Sequence, residues 1–367
     1  MKNYLRNLVA TSLVLSCIMA SATAEDQTKH SSNAEQQPIY RPSDVFLSSP
    51  DYTVGVYFTA QALQPSASNL HEIVIAYPLP APTPNWYSQD VRPDYHFGFD
   101  VGINTMFHSV NTCLMLNWQH FHSSDSTTRT LPDADMLGPY FEIGPDASHY
   151  TEGTAHAHFL FNEANANYGV LVNFGSRAQA NLFAGVSYAY IKEVLASSYS
   201  NSRQSISRTI TSPSTFSGAG PQVGINFAYR IVDGFHLTGD ASAALLVGPM
   251  KNHTTYTSTT PLLTGLGITP PNTQNTHVSN RTQVVPGLEG NIGFAYAYNY
   301  RKHYMISLEA GYQAQVYINA IQSVDMGSEV ALNTIAPSTV GVYARTFQRT
   351  LSNFALAGPY LTLTLGF

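Results

Sequence analysis

Four acidic residues, Asp100, Asp240, Glu289 and Glu309, stand at positions where an alternating segment turns its side chains away from its apolar face, and only Arg230 stands with them. Carboxylates that outnumber cations in a wet passage form a constriction that favours cations. In an interior without water the same groups are tolerated only inside a hydrogen-bonded network, and both readings stay open at the level of sequence. Histidines offer a second chemistry, because His120 and His122 are two apart, as are His156 and His158, and residues two apart on a strand share a face. The first pair shares the face of Trp118, whereas the second lies opposite Phe159 and Phe161. The pairs are therefore predicted to point to different sides, and no metal site is assigned to them. Asp94, His96, Asp133 and Asp135 have the side-chain types that activate water, but acids and histidines are common at the mouths of strands. No catalytic residue and no cofactor is predicted.

The elements that carry these residues are strands. The last of them alternates Leu361, Leu363, Leu365 and Phe367 with Thr362, Thr364 and Gly366, which gives one oily and one polar face. These four apolar residues are read as an assembly signal, presented to the barrel assembly machinery of an outer membrane. At the other end Lys2 and Arg6 precede an apolar run from Leu8 to Met19, followed by Ala22, Thr23 and Ala24. This layout predicts a signal peptide over 1–24, then a flexible periplasmic segment over 25–49 and a barrel over 50–367. Processing as a lipoprotein at Cys17 fits less well, since the residues after Cys17 stay apolar. Once the signal is removed, Cys113 is the sole thiol and no internal disulfide can form.

Composition narrows the class. Charged residues make up 11% of the chain, against roughly 25% in an ordinary soluble protein, while 23 Tyr, 18 Phe and 25 Gly are present. After the signal no run is long and apolar enough for a spanning helix, and a closed barrel is the other way to satisfy a backbone in lipid. The net charge of −6 argues against nucleic acid.

About ten alternating segments follow one another, joined by four short turns that alternate with five long connections, near 63–94, 123–154, 194–216, 249–281 and 321–350. Short periplasmic turns, long extracellular loops and an even strand number describe an all-β, transmembrane antiparallel β-barrel with both termini in the periplasm. Pairing of His71 to Tyr77 with another loop segment would raise the count to twelve. The phase slips near Glu163 and Ala164, which predicts a bulge. Ten strands enclose a backbone radius on the order of 10 Å. Because many inward residues are small, Gly55, Gly98, Gly102, Gly224, Gly293 and Gly311 among them, a narrow water-filled passage is one expectation and a filled structural barrel the other. The Ser-, Thr-, Asn- and Pro-rich loops suggest a surface adhesin as an alternative.

Several segments carry a more specific resemblance: Ala164 to Gly175, NLFAGVSYAY over 181–190, GPQVG over 220–224, the AALLVG ending of 234–248, VVPGLE over 284–289, and Trp118 followed by Phe121 and His122. Together they resemble the Legionella major outer membrane protein family over essentially the whole mature chain. The resemblance implies a porin-like barrel of the bacterial outer membrane, embedded in outer-membrane lipid and exposed to host surface molecules. It also implies larger assemblies linked by cysteines, for which only Cys113 is available here.

Overall fold

The computed structural model describes residues 54–77, 85–107, 111–131, 136–139, 150–175, 177–201, 203, 205–259, 272–300, 304–332 and 340–367. The predicted signal peptide and periplasmic segment lie outside them. Among the described residues fourteen strands are present: β1 (Val54–Ala67), β2 (His71–Tyr77), β3 (Asn85–Asp90), β4 (His96–Phe107), β5 (Thr112–Thr130), β6 (Met136–Pro139), β7 (Glu152–Phe174), β8 (Ala178–Asn201), β9 (Ile206–Val232), β10 (Phe235–Ser258), β11 (Asn272–His277), β12 (Arg281–Tyr300), β13 (Tyr304–Leu332) and β14 (Val340–Gly366).

Ten of them close a barrel. The antiparallel order runs β10, β12, β13, β14, β1, β4, β5, β7, β8, β9, and β9 pairs back with β10. The last strand closes on the first, with Phe58 opposite Leu363 and Val56 opposite Leu365. The strand ends that flank the four short connections lie at the same end as Val54 and Phe367, and the turn between β9 and β10 needs only Asp233 and Gly234, the glycine taking a φ of +76°. His71–Tyr77 does not enter the barrel wall. It pairs with β3 and β6 in a separate three-stranded sheet, so the count is ten.

Two expectations are corrected. The long connection at 321–350 is mostly strand, as β13 and β14 stay paired up to Leu332 opposite Val340, and so is that at 194–216, where β8 and β9 stay paired up to Asn201 opposite Ile206. Its Ser and Thr residues read as loop, but Leu195, Tyr199, Ile206 and Ile210 are buried between them. The bulge at Glu163 and Ala164 is absent, because β7 keeps one register against both neighbours. What changes there is the lining of the barrel, from Glu163 to Phe161 and Phe159 on the same inward face.

The outer face carries the lipid contact. Val223, Ile225, Phe227, Ile292, Phe294, Ile306, Leu308, Leu361 and Leu363 are among its exposed large apolar residues, and Tyr168, Tyr188, Tyr298 and Tyr304 lie on the same face with the ring and hydroxyl that suit a membrane interface. Toward the end opposite the short turns the outer face becomes polar, as at Thr154 and His156 on β7.

Candidate functional site in the barrel interior

On β1, β5, β7 and β13, followed from the short-turn end, the inward positions begin polar and then turn apolar at a common level. The change runs from Gln61 to Leu63, Gln119 to Phe121, Glu163 to Phe161 and Gln315 to Tyr317. Cross-strand register aligns these steps, for Gln119 lies opposite Glu163 and Asp100 opposite Gln119. A polar layer thus lies below an apolar one, and beyond the apolar layer buried polar residues return, Ser123, Glu193, Ser214, Asn252 and Gln322 among them.

The polar layer contains the four predicted carboxylates and a fifth. Asp100 accepts hydrogen bonds from the Tyr57 hydroxyl at 3.2 Å and the Asn117 amide at 3.4 Å. Glu309 accepts from the Tyr360 hydroxyl at 2.6 Å and from Thr238 at 3.0 Å. Ser242 donates to Glu289 at 3.3 Å, and the Asn291 amide donates to Asp240. Glu163, 3% exposed, accepts from Ser187 at 3.0 Å and from the Tyr317 hydroxyl. The phase slip hid Glu163 from the sequence reading, although its spacing of two from both Phe161 and Asn165 was the available signal. A chain of amides crosses the layer, Gln119 donating to Gln61 at 3.0 Å and Gln61 to Gln313 at 3.3 Å. Arg230 is not among the carboxylates. It lies at the short-turn end, 3.7 Å from Asp233 and opposite His236, four residues along β9 from Asn226, which is the partner of Asp240.

Gly102, Gly224, Gly293 and Gly311 are not open space but seats for large side chains of nearby strands: the Tyr57 ring lies on Gly102, Phe183 on Gly224, and the Tyr360 hydroxyl end on Gly293 and Gly311, each so close that a Cβ would collide. The apolar layer above is continuous. Phe161 packs 5.4 Å from Tyr317 and 5.7 Å from Phe354, and Phe159 lies 5.7 Å from Phe354, spacings of stacked and edge contacts in a close-packed core. Leu63, Phe121, Phe216, Leu246, Val285 and Leu356 surround them, none with measurable exposure.

The histidines part from expectation. Because Phe159 and Phe161 point inward, His156 and His158 point outward, on the same side as His120 and His122. The rings of His122 and His158 touch, with centroids 4.6 Å apart, while His120 bonds Asn162 at 2.8 Å. His158 lies beyond the apolar band, and partial burial, His122 and Lys192 hold its imidazole below the ordinary histidine range. Among the described residues no three His, Cys, Asp or Glu side chains converge as metal ligands. At the rim His96 bonds Asp125 at 2.9 Å. Its sequence companions Asp133 and Asp135 lie outside the described residues. Cys113 is buried and free, and its thiol donates to Asn181 at 3.4 Å.

A family model described as the Legionella pneumophila major outer membrane protein precursor matches residues 48–367. The chain belongs to that family. The Legionella outer membrane protein family and the closed ten-strand ring together make it an outer-membrane β-barrel protein of a bacterial outer membrane. No curated protein matches the chain. Among solved structures, the outer membrane protease OmpT from Escherichia coli is similar at 12% identity over 88% of this chain and 99% of that one, with a TM-score of 0.43. The Pseudomonas putida toluene transporter TodX is similar at 7% identity over 87% and 91%, with a TM-score of 0.26. The CymD monoaromatic hydrocarbon channel is similar at 7% identity over 86% and 89%, with a TM-score of 0.24. Likenesses this distant carry nothing to the question of activity, and a member of the Legionella family has to be read from its own interior.

Proposed function

We propose that this member of the Legionella outer membrane protein family is a closed structural barrel, non-enzymatic, whose interior is a packed core rather than a passage. The observation that carries the reading is the continuous aromatic layer of Phe121, Phe159, Phe161, Tyr317 and Phe354 across the lumen. The carboxylates below it hold hydrogen bonds from Tyr57, Ser187, Thr238, Ser242 and Tyr360, as a polar network that fixes register does. Planar-bilayer recording tests this. The folded protein is expected to be electrically silent, and a steady single-channel current from the unaltered protein would overturn the reading.

A second reading is favoured by the strands themselves. β8, β9, β13 and β14 run for 24, 27, 29 and 27 residues, whereas about 9–11 cross a bilayer, and the separate sheet of β2, β3 and β6 adds further surface beyond the polar rim. Such an extension suits contact with host surface molecules. Replacing the outer halves of β8 and β9 by a short turn should abolish cell binding while leaving the barrel folded, and undiminished binding by the folded, shortened barrel would overturn this reading.

A further inference from the structure

Above the aromatic layer β13 leaves the wall. Its ladder with β12 ends at Gly287 opposite Tyr317, and its register with β14 shifts between Tyr317 and Ile321. Asn319 takes a φ of +61° there, in the left-handed region, and its N–H is held by the Asn353 side chain at 3.0 Å. Beyond this bend Ala320, Ile321 and Gln322 are all about 1% exposed in succession. A strand in a barrel wall alternates; three buried residues in a row mean that both faces are covered.

Side chains from the far wall cover one of them. The Gln322 N–H donates to Ser214 Oγ of β9 at 2.9 Å, and the Gln322 carbonyl accepts from Asn252 Nδ2 of β10 at 2.8 Å. Asn252 also donates to the Pro213 carbonyl at 3.1 Å. Ser214 and Asn252 are inward residues of strands that are not neighbours of β13 in the wall, so the β13–β14 hairpin crosses the lumen and is clamped there. Its departure leaves a consequence behind. Among the described residues, β12 from Arg281 to Pro286 pairs with β10 on one side and with no strand on the other. The outer part of β13 thus has two alternative places, the two-point clamp inside or the vacant β12 edge in the wall.

We propose that the outer part of the β13–β14 hairpin is a strap, closed by the Ser214 and Asn252 clamp on Gln322, which opens by swinging about Asn319 toward the free edge of β12. It rests on the closed-lumen reading and adds that the outer closure is reversible. An element with two discrete arrangements is what converts a small local change into an opened mouth.

The test places a cysteine at the bend, Ala320→Cys, in the full-length protein on intact cells, and follows modification by a membrane-impermeant maleimide, with heat-modifiable gel mobility as the check on folding. With the clamp intact, labelling should be at least tenfold slower than at an exposed cysteine such as Arg203→Cys. Adding Ser214→Ala with Asn252→Ala should raise the rate toward that of the exposed site, and Asn252→Ala alone should give an intermediate rate if the double change does not fold. Full-rate labelling with the clamp intact would mean that the mouth is open and would sink the closed-lumen reading at this level. A rate unmoved by removal of the clamp in folded protein would leave the lumen closed and overturn the strap.

Discussion

The Tyr57 ring on β1 lies directly on Gly102 of β4, and its hydroxyl reaches on to Asp100 two residues away. One residue thereby fills the space that a glycine leaves and places a donor on a carboxylate. Gly102→Val should collide with the ring and destabilise the barrel by about 1–3 kcal/mol, the usual effect of overpacking. Heat-modifiable mobility measured across temperature reports it. Tyr57→Ala combined with Gly102→Val should recover part of the loss, and simple additivity of the two changes would show that the residues are not coupled.

The aromatic layer should behave as the electrical seal. Phe161→Ala with Phe354→Ala removes two rings that touch each other and Tyr317. Each truncation is expected to cost about 3–5 kcal/mol in a packed core, and the surviving barrel should pass small currents in planar bilayers. Those currents should prefer cations, because Asp100, Glu163, Asp240, Glu289 and Glu309 line the layer below. Adding Asp100→Asn and Glu309→Gln should move the reversal potential toward zero; a potential that stays put would place the carboxylates off the path.

Leu363 sits on the lipid side between Phe58 of β1 and Leu308 of β13, at the seam where the last strand meets the first. Leu363→Arg is expected to lower folding stability by roughly 2–4 kcal/mol if the site lies near the bilayer midplane. Surface-exposed, heat-modifiable protein on cells should fall accordingly. The charge-free Leu363→Ala should be much milder, and equal effects would argue against lipid at this face.

The His122 and His158 contact predicts a titration. Burial comes first among the causes that lower His158, with His122 and Lys192 after it, so His122→Gln should raise the His158 midpoint in an NMR titration of labelled histidine. The sign for stability is the reverse of the paired-histidine case: a folded midpoint below the unfolded one means that the unfolded chain binds more protons as pH falls. Lowering the pH through this window should weaken the outer ends of β5 and β7, and His122→Gln should reduce that dependence.

An epitope at Arg203, in the tip between β8 and β9, should be detected on intact cells. One at Asp233 should need permeabilised cells, since that tight turn lies with the other short turns. The opposite result would invert the barrel.

The alternation of Leu361, Leu363 and Leu365, of Val223, Ile225 and Phe227, and of Leu182 and Val186 determined that the chain makes about ten strands and which side chains of those strands meet lipid. It did so because a period of two in an antiparallel sheet leaves each residue only two directions. The same rule placed Asp100, Asp240, Glu289 and Glu309 inside. It failed at Phe159, Phe161 and Glu163, because an apolar residue fits both lipid and a dry interior, and only the closed ring of neighbours decides between them. Whether Gly102 or Gly311 opens a passage also depended on the opposite residue, Tyr57 or Tyr360, whose identity follows from register rather than from local pattern. The crossing of β13 was the least legible of all. It arises from the bend at Asn319 and from two polar side chains, Ser214 and Asn252, more than sixty residues away in the chain, which the closed ring of strands brings to Gln322.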